Sequence, residues 1–329
     1  MIGAVRRTHP LPSELQTAPF TRAQALSRGV SAERLRRSDI ERLSRGIYRW
    51  RGAGGDHAVG SSEVDEPLLR ALTRRSEGIW FSHVTAARLW GAPLPSRLLR
   101  DSRLHLSGPN RSHDLPAAPA WTETVQHFPQ IRPGEAMMNR GIRVSSPHRV
   151  FIDLMGMMNV PDLVILGDWL VRQPHGDLEG REEPYSSIAQ LISTVQAHRW
   201  TAGIVRGREA LEQIRVGADS PPETLLRLAL ADAGLPEPQL QIPCVPGRLG
   251  TAEGDMGYRE ARIVIQYEGE HHFTAEQQAR DQRRNAEFEA EGWTVVLANR
   301  VDLAQGFTEV SRRVRMLLSL RSVGAQLSF

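Results

Sequence analysis

The sequence predicts an α+β multidomain protein: an N-terminal winged helix-turn-helix, a mixed α/β middle region, and a C-terminal domain of order α-β-β-β-α-β-α. Three observations predict it. The chain has 329 residues, 40% of them hydrophobic and 24% charged, which is enough for about two packed domains. Apolar residues recur at helical spacing in short capped runs near the N-terminus, in longer runs through the middle, and in helix-then-strand alternation after Ser220. Charge is uneven as well: residues 1–60 carry eleven Arg against five acids, whereas residues 215–329 carry thirteen Arg against sixteen. The expected domains are 1–58, 59–214 and 215–329.

The first segment is punctuated as two short helices and a hairpin. Thr21 caps a helix with Ala23, Ala25 and Leu26 at apolar spacing, and Arg28-Gly29 stops it. Ser31 caps a second helix, expected through Leu35 and Arg37, whose outward side chains include Arg34, Arg36 and Arg37. Ile40 to Trp50 then alternates apolar and charged residues around Gly46, as the two strands of a wing do. Arg42, Arg45 and Arg49 are placed there to touch phosphates, so DNA is the expected partner. A Gly-rich stretch after Arg51 and an acidic run to Glu66 form a linker.

The middle region mixes amphipathic helices (67–75, 81–90) and a strongly apolar helix (164–171) with short strands at 103–107 and from Ile142. Met155, Met157 and Met158 fit core filling. His83, His105, His127 and His148 lack the i,i+4 or strand-paired spacing of a metal site, and no zinc site is expected from them.

In the last third, Ser220-Pro-Pro-Glu223 is a capping-box helix start, and Gly234 ends the helix. Strands follow near 239–245, 253–258 and 262–268, then a polar helix to Glu291, a strand at 293–298 and a last helix from about Thr308. A hairpin turn centred between Glu260 and Ala261 sets Asp255 opposite Gln266. Gln266 and Glu268 then share its face, while Ile263, Ile265 and Tyr267 point the other way. Opposed acids on one sheet face need compensation, and a hard divalent cation such as Mg²⁺ supplies it through oxygen ligands. Asp255 and Glu268 are the expected ligands, with Glu223 approaching from the helix.

Two further counts bound the chemistry. All 41 basic residues are Arg, which excludes lysine Schiff bases, the lysine of phosphate loops and kinases, and Ser-Lys hydrolases. The single Cys244 excludes an intrachain disulfide and a Cys-rich zinc site. No apolar run reaches 18 residues and the N-terminus lacks a signal-peptide core, so a cytoplasmic protein without membrane contact is expected.

The helix–RGVS–helix–RLSRGIYR pattern of about forty residues resembles the winged-helix domain of AbiEi-type antitoxins, regulators of toxin–antitoxin loci. That likeness implies DNA binding and a cognate toxin as protein partner. The run Ser220…Glu223, Asp255, Gln266-Tyr-Glu-Gly269…His272, Asp281…Arg284, Gly292-Trp-Thr-Val-Val resembles the domain related to very-short-patch-repair (Vsr) endonucleases. This branch of the PD-(D/E)xK superfamily has a restriction-endonuclease-like fold, and the likeness covers about 110 residues. It implies Mg²⁺-dependent hydrolysis of DNA phosphodiesters, with His272 as base or water-positioner and Arg283 and Arg284 at the DNA backbone. The family pattern Glu-x-Asp-Gly reads Gln266-Tyr267-Glu268 here, which removes one acidic ligand, and no lysine stands at the last motif position. The alternative is an inactive, antitoxin-like regulator that keeps the nuclease fold as an interaction module.

Overall fold

The structure, a computed structural model, describes residues 10–52, 65–76, 78–109, 123–175, 179–269 and 275–326. His272 and most of the expected linker lie outside the described residues. The chain is mixed α/β with three sheets and divides into two compact units, Met1–Leu154 and Met155–Phe329. The stretch 59–214 contributes to both.

The first unit opens with β1 (Phe20–Thr21), α1 (Arg22–Ser27), β2 (Ile40–Ser44) and β3 (Ile47–Trp50), whose strands form an antiparallel sheet of order β1-β3-β2. Thr21 caps α1 as the sequence predicts, in a reciprocal box with Gln24. The strand pair around Gly46 also forms, with Gly46 at φ +81° in its turn. The second helix does not. Residues Arg34–Arg36 make a single 3-10 turn, and Arg37 is already extended. Between Ser31 and Arg37 only Leu35 is buried, so the segment has one apolar anchor and no helical face to dock, and a short helix without such packing is marginal.

The same unit continues with α2 (Glu66–Arg75), β4 (Trp80–Phe81), α3 (His83–Trp90), α4 (Ser96–Leu99), β5 (Leu104–Ser107), β6 (Thr124–His127), β7 (Ala136–Asn139), β8 (Ile142–Ser145) and α5 (Pro147–Leu154). Its strands form a mixed sheet of order β6-β5-β4-β8-β7. Under it lies a buried ion cluster in which the Arg149 guanidinium donates to Glu135 at 2.7 Å and Asp153 at 2.8 Å.

The second unit comprises α6 (Val160–Val171), α7 (Ile188–Ala197), α8 (Ile204–Gln213), α9 (Pro221–Asp232), β9 (Gln239–Pro243), β10 (Glu253–Tyr258), β11 (Ile263–Glu268), α10 (Ala275–Ala290), β12 (Thr294–Asn299), α11 (Arg300–Ala304) and α12 (Thr308–Gln326). Apart from the short α11, the order from α9 onward is the one the sequence predicts. The sheet runs β12-β11-β10-β9, with β11 and β12 parallel and the other pairs antiparallel. One face (Met256, Tyr258, Ile263, Ile265) packs on Leu226 and Leu230 of α9 and on Val310 and Val314 of α12. The other carries Ile242 and Val264 under Phe288 of α10. Gly254 makes that approach possible, because a Cβ there would lie 2.2 Å from Val264 Cγ2 and 3.3 Å from Phe288 Cζ. Among the described residues no helix is long and apolar enough to cross a membrane.

Candidate functional site

At the N-terminus the fold sorts the arginines into two groups. Arg34 is committed to a bidentate ion pair with Asp39 at 2.7 and 2.6 Å, and its guanidinium holds the Asp39 carboxyl below its ordinary range. Arg49 donates to Asp65 at 2.8 Å. Arg37 is exposed, and its charge also acts on Asp39. Arg36, Arg42 and Arg45 instead line a groove of about 870 Å³ together with Arg22, Arg74 and Arg75, and among the described residues no acid contributes to its walls. Arg75 is the most constrained. Burial, then the charges of Arg45 and Arg42, push its pKa down, and its buried Nη1 has no hydrogen-bond partner among the described residues. Crowded guanidiniums with an unmet donor are stabilised by an anion, and phosphate is the geometric match. Sequence reasoning missed Arg22, Arg74 and Arg75; the one signal was the Arg74-Arg75 pair at the end of an amphipathic helix.

In the second unit, β10 and β11 pair Met256 with Ile265 and Tyr258 with Ile263. The next step of this register sets Asp255 against Gln266, as the turn position predicts. Asp255 Oδ2 accepts the Tyr267 N–H at 2.6 Å. Glu223 arrives from the first turn of α9, held by its cap: Oε1 accepts from the Ser220 hydroxyl at 2.6 Å and Oε2 from the Asp219 N–H at 2.9 Å. Burial and then the neighbouring Asp255 push Glu223 up to about 7. Asp255 is also raised, by burial first, against the opposing Tyr267 N–H and the Arg284 charge. The pair therefore shares less than two full negative charges at neutral pH. Gln266 is fully buried, and among the described residues neither its Nε2 nor its Oε1 has a partner. Such a group costs about 1–3 kcal/mol unless something fills the space it faces.

Two carboxyls and an amide oxygen form an all-oxygen donor set of the kind Mg²⁺ takes. Glu223, titrating near neutrality, is also able to hold or release a proton. Glu268 ends β11 half-buried, and the neighbouring charges that act most on the pair are those of Asp219, Asp281 and Arg284. Arg284 pairs with Asp281 at 3.4 Å and faces the acids, whereas Arg283 is exposed and donates to the Ala279 carbonyl at 3.0 Å.

The third grouping corrects an expectation. His83, His105 and His127, which their spacing gave no reason to connect, bring one ring nitrogen each within 4.8 Å of one another. The physical reason is a long-range strand pairing. β5 and β6 are parallel, with Ser107 beside His127, so His105, Ser107 and His127 share one sheet face. His83 opens α3 directly after β4, which pairs with β5 through Phe81 and Leu106. His148 is not part of the group and contacts Ser146. Among the described residues this is the one place where three His, Cys or acid side chains gather so closely.

Two uncharacterized proteins of Mycobacterium tuberculosis are similar to this chain, MT2308 of strain CDC 1551 / Oshkosh and Rv2248 of strain ATCC 25618 / H37Rv. Each is 34% identical over 110 residues, covering 33% of this chain, and the chain spans 40% of the length of each relative. No family model matches the sequence. No solved structure matches it.

Proposed function

We propose that this chain binds DNA through the arginine groove of its N-terminal unit and that its C-terminal unit is a nuclease-type domain acting on phosphodiesters with Mg²⁺. The observation that carries the proposal is the groove itself: among the described residues it has six arginines, no acid, and a buried Arg75 nitrogen without a partner. Such a surface favours a polyanion, and its affinity falls steeply with salt.

The second half of the reading is supported by the donor set of Glu223, Asp255 and Gln266. Those residues would hold the ion, with Glu268 and His272 following from the likeness to the Vsr-related domain. A bound Mg²⁺ would neutralise charge developing on the phosphate. Tyr267 fixes the Asp255 carboxylate through its backbone N–H. Glu223 holds a proton over part of the neutral range.

A second reading has its own support. Gln266 stands where the resembled domain has a carboxylate, and Glu268 is not among the charges that act most on the acid pair. This favours a DNA-binding regulator, antitoxin-like and paired with a toxin, whose nuclease-type fold no longer cuts. A titration of Mg²⁺ or Mn²⁺ with plasmid and linear duplex separates the two. Cleavage by the wild type that Asp255→Ala abolishes supports the enzyme. Salt-sensitive binding without cleavage under either ion leaves the regulator, and activity regained in Gln266→Glu identifies the missing ligand as the cause.

A further inference from the structure

We infer that His83, His105 and His127 form a binding site for a borderline transition-metal dication of the Zn²⁺ class, within the N-terminal unit and independent of the carboxylate pair. The ligand geometry carries it. His105 Nδ1 and His127 Nε2 lie 3.0 Å apart. Two imidazole nitrogens bound to one tetrahedral ion at 2.0–2.1 Å stand about 3.3 Å apart, so these atoms already hold nearly the spacing of two ligands.

Their surroundings prepare the right lone pairs. His105 Nε2 contacts Asp101 Oδ2 at 3.2 Å, which places the proton on Nε2 and the lone pair on Nδ1, facing His127. This is the carboxylate–histidine arrangement that orients metal-ligating imidazoles. His83 Nδ1 lies 2.9 Å from Ser82 Oγ, itself 2.7 Å from Ser107 Oγ. With Ser82 accepting from Nδ1–H, the His83 lone pair lies on Nε2.

The rings are also held neutral. Burial pulls all three below their ordinary value, and His127 to about 3. The 3.0 Å contact between the His105 and His127 rings is a hydrogen bond, so with the lone pair on His105 Nδ1 the proton sits on His127 Nε2, and metal binding moves that proton to His127 Nδ1 and frees the Nε2 lone pair. The His83 ring lies flat against His127, with centroids 3.5 Å apart and planes 13° apart. Parallel rings present their lone pairs side by side, so capture of an ion turns the His83 ring out of the stack. His83 and His127 are both half-buried whereas His105 is buried, and His83 sits at φ +49°, a left-handed backbone that a non-glycine residue adopts at a cost. An all-imidazole set selects Zn²⁺, Co²⁺, Ni²⁺ or Cu²⁺ over Mg²⁺ or Ca²⁺, and three histidines leave a fourth position open.

The test uses the tag-free, chelator-washed full chain and Co²⁺ as a visible reporter, followed by displacement with Zn²⁺. With Mg²⁺ in excess to occupy the carboxylate site, the expected result is one Co²⁺ per chain with the intense d–d absorption of a tetrahedral site, bleached by one equivalent of Zn²⁺. His127→Cys should add a thiolate-to-cobalt charge-transfer band that the wild type lacks, because position 127 would then supply sulfur. His127→Gln should weaken binding by roughly 100-fold or more, and Asp101→Asn by about 10–100-fold through the orientation of His105. The tetrahedral band, which an all-oxygen site does not produce, keeps this test separate from the carboxylate site. Weak octahedral absorption in the wild type, or equal affinity in wild type and a folded His127→Gln, overturns the inference. Should His127→Gln fail to fold by circular dichroism, the charge-transfer band of His127→Cys decides.

Discussion

Replacing Glu223 with Gln should change stability with opposite sign at low and high pH. In the folded chain, burial and Asp255 raise the Glu223 carboxyl from its ordinary 4.5 to about 7. The folded state thus binds this proton more tightly than the unfolded chain does. The penalty for ionising it is absent below pH 4.5, grows through the window up to 7, and is complete above it. A rise of this size corresponds to about 3 kcal/mol. Gln has one oxygen acceptor where the carboxylate uses two, for the Ser220 hydroxyl and the Asp219 N–H, and weakening the cap costs about 1 kcal/mol. Glu223→Gln should therefore stabilise the fold by about 2 kcal/mol at pH 8 and destabilise it by up to about 1 kcal/mol at pH 4.5. Urea unfolding of wild type and variant at the two pH values measures this, with the midpoint shift converted through a common slope. A shift of the same sign and size at both pH values would refute the reasoning, because it would mean that Glu223 serves only as a cap and carries no unfavourable buried charge. Added Mg²⁺ at pH 8 should raise the wild-type midpoint more than that of the variant.

Other consequences follow from single contacts. Changing Arg42 and Arg45 together to Ala should weaken DNA binding on every sequence and lower the slope of log affinity against log salt by about 2, measured by fluorescence anisotropy across a salt series. An unchanged slope would remove the groove as the phosphate contact. Gln266→Leu deletes two buried amide atoms that lack partners and should raise stability by roughly 1–3 kcal/mol in urea melts while abolishing any Mg²⁺-induced stabilisation. A loss of stability there would mean that the amide has a partner. Arg149→Met leaves Glu135 and Asp153 buried without their cation and should cost roughly 3–5 kcal/mol. A thermal shift near zero would contradict the buried ion cluster.

What the sequence alone determined about this protein was local or periodic. Thr21 and Ser220 announce helix starts because a cap needs only a hydroxyl and the next three residues. The strand pair around Gly46 is legible from alternation and a glycine at positive φ. Asp255 meets Gln266 because a short hairpin fixes register from its turn, and side chains repeat every two residues. Tertiary structure decided the rest. The 3-10 turn at Arg34–Arg36 replaces an α-helix because the core takes only Leu35 from this stretch, which leaves no apolar face to hold a helix. Which arginines are available depends on Asp39 and Asp65, which bind Arg34 and Arg49, and on α2, which carries Arg74 and Arg75 into the groove. The histidine trio had no signature at all in the chain, because β5 and β6 pair across a long connection and α3 adds the third ring. Neighbour relations within a few residues follow from backbone geometry, whereas charge pairing and ligand convergence across the chain depend on how the elements pack, which no local period records.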